Sequence, residues 1–142
     1  HPNDPPVPVY RGLAQPLWNL DSMKRLVDVI DSRANSVFFD TGVTTEYGED
    51  AAEAIRYFGR RERIGTVHFR NVRVEEPHYR YTETFVDEGD CDIVACMRAF
   101  AEVGYEGGID PDHTPGLIDD AHSSMGWAYA IGQLRALRLA TY

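Results

Sequence analysis

With 14 Lys and Arg against 23 Asp and Glu, this 142-residue chain carries a formal net charge of −9. Nucleic-acid affinity depends on basic stripes that meet phosphates, so nucleic acid is excluded as a partner. No apolar run approaches the ~20 residues of a membrane span, which excludes a membrane role, and 43% hydrophobic residues suffice for a core.

The opening His1-Pro2-Asn3-Asp4-Pro5-Pro6 lacks the basic-then-apolar pattern of a signal peptide, and the expected location is the cytoplasm. This Pro-rich stretch reads as the loop that leaves a strand. Leu20, Met23, Leu26, Val27 and Ile30 then follow helical spacing, with Asn19 placed as the cap. Ser36-Val37-Phe38-Phe39 is apolar nearly throughout, as a strand buried on both faces should be. A second helix takes Ala51, Ala54, Ile55 and Phe58, behind the acidic pair Glu49-Asp50 that suits a helix N-terminus. Thr66-Val67-His68-Phe69 is the next strand. The connection from Arg73 to Gly89 is long, polar and aromatic, and such loops are often functional. Ile93, Val94, Met97, Phe100 and Ala101 predict a helix capped by Asp90 or Asp92 and stopped by Gly104. Gly107-Gly108-Ile109 is a third strand, and a final helix runs from about Met125 to Leu139, with Arg135 and Arg138 suiting its C-terminus. Cys91 and Cys96 are read as lying on one helix without facing each other, as buried structural thiols of a reducing compartment.

Strands alternating with helices imply βαβ units and a parallel sheet. A closed barrel needs about 250 residues, so a flavodoxin-like open sheet fits the length better. The placement of polar residues favours half a β/α barrel instead. Each strand ends in a polar cluster: Asp40-Thr41-Gly42, then His68 with Arg70-Asn71, then Asp110-Pro111-Asp112-His113. His1-Pro2-Asn3-Asp4 stands where a preceding strand would end. Singly, these residues have ordinary explanations. Asp40 suits an Asx-turn, His68 a core histidine, and one of Asp110 and Asp112 the turn around Pro111. His78 and His122 lie in polar stretches and are expected to face solvent. Together, the clusters bring two imidazoles and two carboxylates toward one point, a donor set for Mn²⁺, Fe²⁺, Zn²⁺ or Co²⁺ in which the oxygens favour Mn²⁺.

At these residues the sequence resembles the mannonate dehydratase family of the xylose-isomerase-like TIM-barrel superfamily. The matching words are His1-Pro2-Asn3-Asp4-Pro5-Pro6, Val67-His68-Phe69-Arg70-Asn71-Val72, Tyr81-Thr82-Glu83-Thr84 with Gly89-Asp90-Cys91-Asp92, and Gly104-Tyr105-Glu106-Gly107 with Pro111-Asp112-His113. They run in order to about residue 135. The resemblance implies that residues 1–142 are the C-terminal half of a (β/α)8 TIM barrel whose N-terminal strands are absent, to be partnered by that missing half or by another copy. It implies metal ligation by His1, Asp40, His68 and Asp112, with Mn²⁺ the expected ion and Fe²⁺, Mg²⁺ or Co²⁺ as alternatives. The chain departs from the family at Asp40, where Cys-Thr-Gly is typical, at Asn3, and at His122-Ser123-Ser124-Met125-Gly126-Trp127 in place of a Tyr-rich segment.

The implied reaction is dehydration of a small sugar acid, D-mannonate, to 2-dehydro-3-deoxy-D-gluconate. Arg70 and Asn71 are expected to bind the substrate, with the Arg70 guanidinium clamping its carboxylate. His113 is expected to transfer the proton, and Glu83 is a second candidate. A sugar isomerase or epimerase of the same superfamily, or a non-catalytic barrel fragment, is the alternative.

Overall fold

A three-stranded parallel sheet lies at the centre of the computed structural model, which describes residues 1–142. Its strands, in spatial order, are β3 (Val37–Asp40), β4 (Ile64–His68) and β7 (Ile109–Asp110). The register sets Asp40 opposite His68 and His68 opposite Asp110, so the strands end level with one another. β3 and β7 are the two edges of this sheet.

Parallel neighbours need a crossover, and capped helices supply it. In α1 (Leu20–Val29), Asn19 accepts from the Ser22 backbone and Ser22 reciprocates, closing a capping box, while Leu20, Met23 and Val27 face the core. Between β3 and β4 runs α3 (Ala51–Gly59), where Asp50 accepts the Glu53 N–H at 3.0 Å. Between β4 and β7 runs α4 (Ile93–Glu102), capped by Asp92 on the Ala95 N–H at 2.9 Å. The chain leaves α4 through Gly104 at φ +69°, a left-handed turn that glycine adopts without strain. α5 (Ser124–Thr141) closes the chain order.

The core lies between the sheet and these helices. Phe39 of β3 packs between Phe58 of α3 and Phe100 of α4, with ring centroids 6.1 and 6.3 Å apart. Phe58, Phe100, Ile55 and Met97 are fully buried, each burial worth about 1.5–3 kcal/mol. At Gly59 a Cβ would lie 2.8 Å from the Val103 Cβ, so glycine lets α3 and the end of α4 approach each other.

Several expectations need correction. α2 (Thr41–Glu46) is a helix that apolar periodicity did not reveal. The third strand is Ile109–Asp110 rather than 107–109. The connection after His68 is not irregular: β5 (Asn71–Glu76) and β6 (Arg80–Thr84) form an antiparallel hairpin. A small hairpin of β1 (Val9–Tyr10) and β2 (Leu13–Ala14) turns through Arg11 and Gly12, both at positive φ. Cys91 precedes α4 instead of lying on it, and its Sγ is 3.5 Å from that of Cys96. His78 is half-buried, with Nδ1 donating to the Pro6 carbonyl at 2.7 Å, whereas His122 is exposed as expected. No helix is long and apolar enough to cross a membrane.

Candidate metal centre

Asp40 does two jobs at the end of β3. Its Oδ1 caps α2 by accepting the Val43 N–H at 2.7 Å, while Oδ2 points to the strand ends. There Oδ2 lies 3.4 Å from Nε2 of His1 and 3.7 Å from Nδ1 of His68, and the two imidazole nitrogens are 3.1 Å apart. Ligands bonded at ~2.0–2.2 Å in a tetrahedral or octahedral shell stand roughly 3–3.6 Å from one another, so these spacings suit a transition-metal ion. The carbonyl of Pro2 takes the Nδ1 proton of His1 at 2.7 Å, which turns Nε2 toward the cluster. Phe38 packs against both imidazoles, its centroid 5.2 Å from His1 and 4.0 Å from His68.

Asp112 stands beside this trio and not within it. The three ligand atoms of His1, Asp40 and His68 lie within 4.8 Å of one another, while Asp112 Oδ2 is 3.5 Å from His68 Nδ1. Asp110 is the turn residue of the pair: its Oδ1 accepts the Asp112 N–H at 2.7 Å, with Asp112 at φ +65°. The Asp112 carboxylate is thus aimed at the edge of the cluster, next to His113 Nε2 at 3.0 Å. His113 is exposed on its outer side, and its Nδ1 lies 3.4 Å from Glu83 Oε2.

Arg70 holds these groups together from below. It is 1% exposed. Its Nε donates to Asp40 Oδ2 at 3.1 Å, Nη1 to Glu46 Oε1 at 3.0 Å and to Glu83, and Nη2 to Asp4 Oδ2 at 3.0 Å. A buried guanidinium hydrogen-bonded to four carboxylates, with Asp112 Oδ2 a further 3.6 Å from its Nε, has no face left for a substrate, so the expected clamp by Arg70 is corrected to an internal one. Asn71 is corrected likewise. Buried at 1% exposure, its amide donates to the Val86 and Cys91 carbonyls and accepts from the Cys91 N–H, pinning the loop after β6.

Electrostatics follow from this layout. Burial pushes the Asp40 carboxyl up, but hydrogen bonds from His1 and His68 and the charge of Arg70 outweigh it and hold Asp40 well below the usual carboxylate range. The Asp40 hydrogen bond in turn raises His1 against the effect of burial. Glu46 has no such company. Burial pushes it up to about 8 despite Arg70, which it shares with four other carboxylates, and its Oε2 has no hydrogen-bond partner. His113 is raised, chiefly by its hydrogen bond to Glu83.

Of the residues singled out from sequence, the structure brings His1, Asp40, His68, Asp112, His113 and Glu83 to one rim. It adds Phe38, Asp4 and Glu46. Asp4 lies in the first of the matching words, whereas Glu46 has no signal in a Thr-rich stretch that reads as a turn.

A parallel sheet wound with helices, bearing a His–Asp–His trio at the carboxyl ends of its strands, defines a segment of a β/α-barrel protein with a candidate cation site. The chain belongs to the D-mannonate dehydratase (UxuA) family, whose model matches residues 1–141. It is 39% identical over 123 residues to a mannonate dehydratase of Enterococcus faecalis, covering 84% of this chain and 33% of that one. The crystal structure of mannonate dehydratase from Streptococcus suis serotype 2 is 25% identical with a TM-score of 0.86, over 99% of this chain and 42% of that one. A xylose isomerase domain protein from Planctomyces limnophilus, 21% identical, shares the fold with a TM-score of 0.68 over 87% of this chain and 44% of its own. The fold is accordingly part of a xylose-isomerase-like TIM barrel, and the chain spans about a third of the length of the curated relative quoted.

Proposed function

We propose that this chain supplies the metal-binding rim of a hydro-lyase that converts D-mannonate to 2-dehydro-3-deoxy-D-gluconate and water. In this reading residues 1–142 are the C-terminal part of one TIM-barrel domain acting in the cytoplasm, and the remaining strands pair with the open edges of β3 and β7. The observation that carries the proposal is the trio of His1 Nε2, Asp40 Oδ2 and His68 Nδ1 at ligand spacing. Asp112 is the fourth ligand after a small shift of its carboxylate. An anionic oxygen, where many relatives offer a thiolate, favours a hard ion, Mn²⁺ first, then Mg²⁺, Fe²⁺ or Co²⁺. When bound, the ion supplies Lewis-acid stabilisation of the charge that develops on the substrate carboxylate.

The chain's own residues do the rest. Removal of the C2 proton leaves an electron pair that forms the C2–C3 double bond as the C3 hydroxyl departs with a proton, and the enol product tautomerises to the 2-keto acid. His113 sits on the open side of the rim, within reach of a group bound at the cluster, and moves this proton. Glu83 and Asp112 hold its ring from either side. Arg70 fixes Asp40 and Glu83 together, so ligand and proton-transfer group keep one geometry.

The test is turnover of D-mannonate by the full-length protein, followed by formation of a 2-keto-3-deoxy acid. The expected result is product with wild type and at least about a hundredfold loss in His113→Gln with metal retained. An epimerised or isomerised acid formed without loss of water would refute dehydration, and full activity in His113→Gln would refute the proton-transfer role.

A further inference from the structure

Cys91 and Cys96 lie away from the rim and take no part in the reaction above, yet they are arranged as a pair. Both are buried, with exposures of 8% and 1%, and their sulfurs are 3.5 Å apart. A disulfide needs about 2.05 Å, so the sulfurs have to close by ~1.5 Å. The backbone at both positions is anchored. Asn71 accepts the Cys91 N–H at 2.9 Å and donates to its carbonyl at 3.2 Å, while Cys96 sits in the first turn of α4.

We infer that Cys91 and Cys96 form a redox-modifiable dithiol that a small hydroperoxide converts to an intramolecular disulfide. The two sulfurs differ in role. Hydrogen bonds from Cys96 and Thr45 favour the Cys91 thiolate against its burial, whereas the bond to Cys91 and burial hold the Cys96 thiol well above its usual range. Cys91, the more exposed of the two, is therefore the attacking sulfur. Its thiolate attacks one peroxide oxygen, the O–O bond breaks, and hydroxide (or alkoxide) leaves and is protonated, giving a sulfenic acid. The Cys96 thiol then attacks that sulfur, the S–S bond forms, and the sulfenic oxygen leaves as water. In sum, two thiols and hydrogen peroxide give one disulfide and two waters.

The experiment exposes the folded full-length protein to hydrogen peroxide, quenches it, alkylates free thiols in denaturant and weighs both the intact chain and the peptides that carry Cys91 and Cys96. The expected product has lost two hydrogens, takes no alkyl group at either cysteine, and regains both sites on reduction. In Cys96→Ser the same treatment stops at a Cys91 sulfenic acid, captured by dimedone. In Cys91→Ser, Cys96 stays a thiol. The inference is overturned if wild-type Cys91 and Cys96 both remain alkylatable, if the bond links two chains, or if Cys96 oxidises as readily without Cys91. The wild-type peptide holding the Cys91–Cys96 bond decides the matter even where a variant fails to fold.

Discussion

Replacing Arg70 by methionine should cost far more than a surface charge would. The side chain is 1% exposed, and its loss would strand carboxylates of unequal resources. Asp4 keeps the hydroxyl of Tyr81 at 2.8 Å, and Glu83 keeps His113. Asp40 keeps His1, His68 and the Val43 N–H. Glu46 is left with nothing, because Arg70 Nη1 is its one side-chain partner and its Oε2 is already unpaired. Breaking a buried pair from one side costs about 3–5 kcal/mol, a large share of the ~5–15 kcal/mol that folds a domain. For a chain of this size that corresponds to a fall of roughly 10–20 °C in Tm at pH 7. Calorimetry or far-UV circular dichroism measures it. At pH 9, above the Glu46 pKa of about 8, Glu46→Gln added to Arg70→Met should restore part of the loss, since the carboxylate that Arg70 had paired becomes a neutral amide, and the non-additivity should exceed about 0.5 kcal/mol. A fall in Tm below ~3 °C for Arg70→Met, or strict additivity of the two changes at pH 9, would refute the view that Arg70 is the buried counter-charge of the site.

Three further outcomes follow from the same geometry. Glu46 has a folded pKa of about 8 against an ordinary 4.5, so the folded state binds the extra proton and its stabilising effect is complete below about pH 4.5 and lost as pH rises through 8. Wild type should therefore lose stability between pH 5 and 8.5, by at most roughly 4 kcal/mol, and Glu46→Gln should flatten that slope in urea titrations; an unchanged slope would contradict the burial argument. Gly42→Ala would place a Cβ 2.7 Å from Arg70 Nη1 and 2.8 Å from its Cγ, so it should destabilise by about 1–3 kcal/mol while leaving every charge in place; a neutral effect in denaturant melts would mean that Arg70 is free to move. Asp40→Cys should shift metal competition from Mn²⁺ toward Zn²⁺ or Co²⁺, because a thiolate is the softer ligand; an unchanged order of affinities would show that residue 40 does not contact the ion.

Much of this was legible in the sequence, for identifiable reasons. Helices α1, α3 and α4 announce themselves through 3.6-residue apolar spacing behind Asn19, Asp50 and Asp92, whose side chains do cap them. β3 shows as an apolar run with Val37 and Phe39 buried, and β4 shows through its buried Val67. Their level ends put Asp40 and His68 side by side, which a polar residue closing each strand foretold. What escaped the sequence depends on partners far along the chain. Arg70 at a strand end looks like a substrate clamp until Asp4 and Glu46, 66 and 24 residues away, are seen to saturate it. Asn71 looks polar and available until its amide is found closing the loop on Cys91. α2 carries Thr-Gly-Val-Thr-Thr-Glu, a poor helix former, and is held by the Asp40 cap and by the Thr44 and Thr45 hydroxyls bonding back to the carbonyls of Asp40 and Thr41. Cys91 was placed on α4 because Asp90 and Asp92 are equally good caps by type, and only the second is used.

The account turns on the trio at the strand ends, and metal content tests it most directly. The full-length protein, loaded with Mn²⁺ and dialysed, should retain a stoichiometric ion by elemental analysis, with an anomalous peak at the Mn edge between His1 Nε2, Asp40 Oδ2 and His68 Nδ1. Asp40→Ala should lose that ion while remaining folded. Full retention in Asp40→Ala, or an anomalous peak away from these three residues, would contradict it.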